Sequence, residues 1–109
     1  MMVNEEKLDN ILLELGHDDF NKGTAQLRQA VKMYEPGMML TKELYPALGR
    51  AVGSTASRVE RNMRHSIQKA WCRCAQETQA RYFGGTVDPQ RGNPTVGEYV
   101  ARLHRLCKE

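Results

Sequence analysis

Apolar residues recur along most of the chain at the three- and four-residue spacing of one face of an α-helix. The sets are Leu8, Ile11, Leu12 and Leu15; Leu27, Ala30, Val31 and Tyr34; Leu44, Tyr45, Leu48 and Val52; and Tyr99, Val100, Leu103 and Leu106. No alternating pattern of useful length predicts a β-strand. The pattern therefore predicts an all-α fold of about six helices. The 109 residues suffice for a single domain spanning 1–109.

Capping and helix-breaking residues mark the helix boundaries. The predicted N-caps are Thr24, Thr41, Thr55 and Thr95, the last forming a capping box with Glu98. The predicted helix ends are Gly16, Pro36 with Gly37, Gly53 with Ser54, and Gly84 with Gly85. We also expect Asp18 and Asp19 in a solvated turn, Pro46 near the start of the third helix, a short helix at about Gln76 to Tyr82, and a loop over 86–94.

The stretch from Thr55 to Trp71 is predicted to be one helix with two different faces. Its apolar side contains Ala56, Val59, Met63, Ser66, Ile67 and Ala70, with Trp71 at the edge. Its opposite side contains Ser57, Arg58, Arg61, Arg64, His65 and Gln68. Because the short turn at Gly53 joins this helix to the preceding one, the pair has the pattern of a helix-turn-helix over about 42–71. We interpret the helix at 55–71 as a DNA-recognition helix.

Basic residues are concentrated around this helix. The net charge of +3 is too small to indicate nucleic-acid binding by itself. Residues 1–22 contain two basic side chains against six acidic ones, whereas residues 50–73 contain six basic side chains against Glu60 alone. Phosphate contacts require a local basic surface of this kind.

Other classes of protein find little support in the sequence. No apolar run is long enough to predict a membrane span, and the acidic N-terminus lacks the features of a signal peptide, so we expect a cytoplasmic protein. Three scattered histidines and no convergent acidic residues argue against an enzyme. A zinc site is conceivable from Cys72, Cys74, Cys107 and His104, but Cys-x-Cys is not the usual zinc pair. We therefore predict neither a metal nor a cofactor.

A series of short strings gives the chain a family likeness. In order they are Thr41-Lys-Glu-Leu-Tyr-Pro46, Thr55-Ala-Ser-Arg-Val-Glu-Arg61, Arg64-His65, Ala70-Trp71, Phe83-Gly84, Thr86-Val87 and Pro94-Thr95. From about Leu8 to the end, the chain resembles the C-terminal effector domain of the master sporulation response regulator of endospore-forming bacteria, the stage 0 sporulation protein A family. The resemblance implies a six-helix domain with an embedded helix-turn-helix, similar to winged-helix response-regulator effectors but without a clear wing.

The same resemblance implies a sequence-specific transcription regulator of sporulation initiation. Family members bind a short promoter element with G and C at its centre, often as tandem copies, and contact the sigma factor of RNA polymerase. Matched by position, Arg58, Glu60 and Arg61 resemble the base-reading residues. The candidates for backbone or base-edge contacts are Thr55, Ser57, Arg64, His65 and Gln68. The chemistry agrees, since arginine can donate two hydrogen bonds to guanine and glutamate can accept one from cytosine N4.

Two departures and two alternatives accompany this interpretation. Only about 20 residues precede the second helix, so we expect no phosphoacceptor receiver domain, and the chain is either an excised effector domain or a stand-alone homologue. Cys74 stands where a small residue such as glycine is expected. Glu60 could instead pair with Arg64 as a surface ion pair. The alternative function is a helical protein-interaction module whose basic face binds an acidic partner.

Overall fold

The computed structural model describes residues 2–17, 21–84 and 92–109, and these residues form six α-helices. The helices are α1 (Glu5–Glu14), α2 (Lys22–Met33), α3 (Tyr45–Val52), α4 (Ala56–Arg73), α5 (Gln76–Phe83) and α6 (Val96–Cys107). Within these ranges, β-type pairing is limited to an isolated antiparallel bridge between Val3 and Lys108. The predicted all-α class is therefore confirmed. The expectations for Asp18, Asp19 and residues 85–91 fall outside the described residues.

The longest helix, α4, lies against α2, α3 and α6 and supplies one wall of the core. The core is made mainly of the predicted apolar positions, and its fully buried side chains include Leu8, Leu27, Leu48, Met63, Ile67 and Leu103. Tyr99 of α6 is also fully buried, and Phe83 stacks on it at a centroid distance of 5.1 Å. Trp71 meets Phe83 edge-on at 5.3 Å. These rings join the C-terminal half of α4 to α5 and α6.

The start of α2 differs from the prediction. Asn21 is the N-cap, and its side-chain oxygen accepts hydrogen bonds from the backbone N–H groups of Gly23 at 2.7 Å and Thr24 at 3.4 Å. The prediction that Thr24 caps this helix is therefore wrong. Asparagine and threonine are both good N-caps, and the burial of Thr24 against α4 places the helix start three residues earlier.

The start of the third helix also differs from the prediction. Thr41 is not an N-cap, because it lies inside a π-helix, Leu40–Leu44, which runs directly into α3. The carboxylate of Glu43 accepts a hydrogen bond from the backbone N–H of Met39 at 2.9 Å, which satisfies a donor at the start of this segment. Pro46 is in the first turn of α3, near the helix start, as the sequence indicates.

One predicted core residue of α3 is not in the core. Val52 is 41% exposed, because it occupies the last position of the helix and the chain turns away at Gly53. The predicted capping box of Thr95 and Glu98 is confirmed, with hydrogen bonds of 2.8 and 3.1 Å. No helix in the described ranges is long and apolar enough to cross a membrane.

Candidate nucleic-acid interface

The turn between α3 and α4 is tight. Gly53 ends α3 in the left-handed conformation, with φ 69° and ψ 38°, which a residue with a Cβ rarely adopts. The backbone N–H of Ser54 donates to the carbonyl of Gly49 at 2.7 Å. Thr55 then caps α4 by accepting from the N–H of Arg58 at 3.2 Å, as predicted. Only three residues therefore separate the two helices, which is the spacing of a helix-turn-helix.

The inner face of α4 is buried as the periodicity predicts. Its buried residues are Val59, Met63, Ser66, Ile67 and Ala70. They pack against the core supplied by the other helices, so the axial rotation of α4 is fixed by apolar contacts. The opposite face of α4 therefore points towards solvent.

That outer face brings most of the predicted site residues together. The exposed residues are Thr55, Ser57, Arg58, Arg61, Arg64, His65 and Gln68. Thr55 and Ser57 stand at the N-terminus of α4, where unpaired N–H groups favour an anion. Three arginines at three-residue intervals then present guanidinium groups along a helix whose other side is fixed in the core.

Glu60 lies at the edge of this face and is partly buried. Its carboxylate accepts a hydrogen bond from Nε of Arg64 at 3.2 Å, which is the ion pair given above as its alternative role. Glu60 also lies near Tyr45 of α3. Burial, with a smaller contribution from the Glu60 charge, raises the pKa of Tyr45 to about 12. In the free protein Glu60 therefore faces the preceding helix as well as Arg64.

A buried polar cluster lies beneath α4. The Nδ1 atom of His17 lies 3.1 Å from Oγ of Ser66 and 3.2 Å from Oγ1 of Thr24, while Nε2 lies 2.7 Å from the hydroxyl of Tyr99. Burial, assisted by the charge of Arg73, lowers the pKa of His17 to about 4. The ring is therefore neutral at neutral pH, with one donor and one acceptor that the hydroxyls can match. The cluster connects α4 to α2 and α6.

The cysteines are dispersed. Cys72 is exposed, Cys107 is buried in α6, and Sγ of Cys74 donates to the carbonyl of Glu14 at 3.7 Å. Nδ1 of His104 lies 3.1 Å from the carbonyl of Val31. No three potential metal ligands converge among the described residues. Cys74 ends α4 in an extended conformation at φ −80°, so this position does not require glycine.

Two residues of α2 that the sequence does not indicate as site residues lie beside the exposed face of α4. Lys22 and Gln26 of α2 form a cleft with Arg58, Arg61 and Asn62 of α4. We call this the α2–α4 cleft. The charge pattern of the sequence places Lys22 only in the acidic N-terminal segment. The sequence feature that could indicate this contact is the adjacent Gly23, since a glycine in a helix can mark a close approach of another backbone.

Comparison with known protein families identifies the family of this chain. The sequence model of the family described as "Sporulation initiation factor Spo0A C terminal" matches residues 8–106, which is nearly the whole chain. The chain belongs to this family. The Spo0A C-terminal family is a family of helical, DNA-binding regulatory domains and not one of enzymes, so the chain is a DNA-binding regulator of the sporulation-initiation type. Within this family assignment, the exposed face of α4 is the candidate surface for DNA.

Proposed function

We propose that residues 1–109 act as one DNA-binding domain that reads a short, G/C-centred promoter element. In this proposal α3 and α4 form the helix-turn-helix, and α4 enters the major groove with its N-terminal half against the bases. The observation that carries the proposal is the division of α4 into a buried apolar face and an outer face with Arg58, Arg61 and Arg64. Such a regulator acts in the bacterial cytoplasm, where the chromosome lies.

Arg58 and Arg61 are the proposed guanine readers. They are one helical turn apart and exposed, so both guanidinium groups can point into the same groove. Each can donate two hydrogen bonds to guanine O6 and N7. The helix cap and the packed inner face fix the backbone of α4, so an arginine on this helix loses less freedom on binding than one on a loop, which favours specificity.

Glu60 is the proposed cytosine reader. In the free protein its carboxylate pairs with Arg64, so DNA binding requires an exchange of partners. Arg64 would turn to a phosphate, and Glu60 would accept a hydrogen bond from cytosine N4. Both side chains are partly solvated, and an exposed i, i+4 pair is worth only about 0.3–0.5 kcal/mol, so the exchange has a small cost.

The remaining exposed residues are proposed to fix the register of α4 on the duplex. Thr55 and Ser57 stand at the helix N-terminus, where hydroxyl and N–H groups suit a phosphate. Arg64, His65 and Gln68 lie further along the same face and complete the contacts to backbone or base edges. As the family resemblance implies, the domain would bind tandem copies of its element and contact the sigma factor of RNA polymerase.

The decisive experiment is selection of duplexes from a random pool, followed by titration of the selected duplex and of an unrelated one. Arg61→Ala should weaken binding to the selected duplex by about 1–3 kcal/mol and change binding to the unrelated duplex little. Arg105→Ala, which removes an exposed arginine of α6, is the matched control and should leave both affinities unchanged.

Two outcomes would contradict the proposal. Equal losses on both duplexes for Arg61→Ala would mean that Arg61 contacts only phosphate. Absence of duplex binding at low salt, together with capture of an acidic protein that survives loss of Arg58 and Arg61, would favour the protein-interaction function instead.

A further inference from the structure

The α2–α4 cleft borders the proposed DNA surface but lies partly outside the helix-turn-helix. It has a volume of about 570 Å³ and runs between the first turn of α2 and the N-terminal half of α4. Its lining includes Lys22 and Gln26 from α2, Ser54 from the turn, and Arg58, Arg61 and Asn62 from α4. The described lining residues include three cations and no carboxylate.

A close contact between α2 and α4 lies next to the cleft residues Lys22 and Asn62. A Cβ atom at Gly23 would lie 2.3 Å from the carbonyl oxygen of Asn62 and 2.7 Å from Cβ of Ser66. Only glycine therefore permits α2 to approach α4 this closely. The contact fixes Lys22, the first residue of α2, beside the exposed arginines.

One residue that lines the cleft, Gln26, carries a buried polar atom with no hydrogen-bond partner among the described residues. Gln26 is only 5% exposed, and its Oε1 atom is buried without a hydrogen-bond partner in the described part of the chain. Buried acceptors are normally paired, so an unpaired one on a residue that lines a cleft can accept a hydrogen bond from a neighbouring donor. Lys22, Arg58 and Arg61 line the same cleft and carry several N–H donors each, so a cation that donates to Gln26 retains N–H groups for an anion.

We propose that the α2–α4 cleft binds a phosphate group of the DNA backbone beside the bases contacted by α4. Lys22 contributes a cation from outside the helix-turn-helix. Gln26 acts as a positioning residue, because its oxygen accepts a hydrogen bond from Lys22 while Lys22 holds the phosphate. The inference rests on the proposed function, since Arg58 and Arg61 belong to both surfaces.

The first test measures the salt dependence of binding for Lys22→Gln. This variant should bind both the selected and the unrelated duplex several-fold more weakly, and the slope of log affinity against log salt should fall by about one. Lys7→Gln removes the same charge from α1, outside the cleft, and should keep the wild-type slope. An unchanged slope for Lys22→Gln would overturn the inference.

A second test locates the phosphate. Single phosphates flanking the selected element are replaced one at a time by neutral methylphosphonates. One position should weaken wild-type binding and have little further effect on Lys22→Gln, because that contact is already lost. A series that weakens both proteins equally at every position would contradict a contact between Lys22 and a particular phosphate.

A free phosphate ester is the alternative ligand for the cleft, because it offers the same anionic group as the DNA backbone. Titrating the DNA-free protein with inorganic phosphate and with AMP, while observing the Gln26 side-chain amide by NMR, separates the two sources. Weak, non-saturating shifts are expected if the site requires DNA. Saturable binding of AMP combined with a flat methylphosphonate series would overturn the assignment to the DNA backbone.

A separate variant, Gln26→Leu, tests the role of Gln26. Gln26→Leu removes the unpaired oxygen, so the thermal midpoint should not fall, while the sensitivity to the identified methylphosphonate should decrease. A lower midpoint with unchanged phosphate sensitivity would mean that Gln26 is only structural. Failure of these tests with specific binding intact would reject the cleft alone, whereas loss of all specific duplex binding by the wild-type protein would reject the proposed function.

Discussion

The polar groups on the two faces of α4 differ in whether they find hydrogen-bond partners inside the protein. On the inner face, Ser66 lies within hydrogen-bonding distance of His17 and Thr24, so its hydroxyl is paired inside the protein. On the outer face, the guanidinium groups of Arg58 and Arg61 extend into solvent. The inner groups have their partners in the folded chain, whereas the outer donors are available to a ligand. Substitutions on the inner face should therefore affect stability, and those on the outer face should affect binding.

The largest expected effect on stability comes from the inner face. Met63→Ala removes a fully buried side chain and should lower the free energy of unfolding by about 2–5 kcal/mol. Arg61→Ala, two residues earlier on the exposed face, should change it by no more than about 0.5 kcal/mol. Urea denaturation followed by circular dichroism measures both. Equal losses for the two variants would contradict the division of α4 into a structural and a binding face.

The buried histidine should make stability depend on pH. The folded state holds the pKa of His17 at about 4, below its usual value of 6.5, so the unfolded chain binds more protons between these values. This contribution is complete above about pH 6.5 and is lost as the pH falls towards 4. The loss should reach about 3 kcal/mol, since one pKa unit corresponds to about 1.4 kcal/mol.

Comparison with a variant isolates the contribution of His17. Carboxylates also titrate in this range, so the quantity to examine is the difference between the wild-type protein and His17→Gln in urea denaturation from pH 4 to 7. The variant should be less stable at pH 7 and should show a weaker dependence on pH. Parallel curves for the two proteins would show that His17 is not held neutral by the fold.

The two faces also differ in how far the sequence could predict them. The buried and exposed sides of α4 follow directly from the helical period, and the cap at Thr55 follows from its position before an amphipathic run. The partners of Ser66 could not be predicted, because His17 is 49 residues away in the sequence and the pairing depends on how the helices pack. The helical period places Ser66 on the apolar side of α4 but does not indicate which group its hydroxyl bonds.

The two misplaced helix starts have different causes. Asn21 and Thr24 can each cap a helix, and only the packing of Thr24 against Ser66 decides between them. The π-helix before α3 is a change of hydrogen-bond register, in which the N–H of Tyr45 donates to the carbonyl of Leu40. Amphipathic periodicity does not encode such a change over five residues. The α2–α4 cleft could not be predicted because it depends on the packing of two helices that meet at Gly23.

The smallest expected effect on stability concerns the residue between the two faces. Glu60→Gln breaks a partly solvated ion pair with Arg64 and should lower the free energy of unfolding by only about 0.3–0.5 kcal/mol. If Glu60 accepts a hydrogen bond from cytosine, the same change should weaken binding to the selected duplex, and replacing that C·G pair should then cost the variant little. Glu77→Gln, on the exposed surface of α5, is the matched control for charge and should retain full discrimination. Undiminished discrimination at every base pair by Glu60→Gln would mean that Glu60 serves only to hold Arg64.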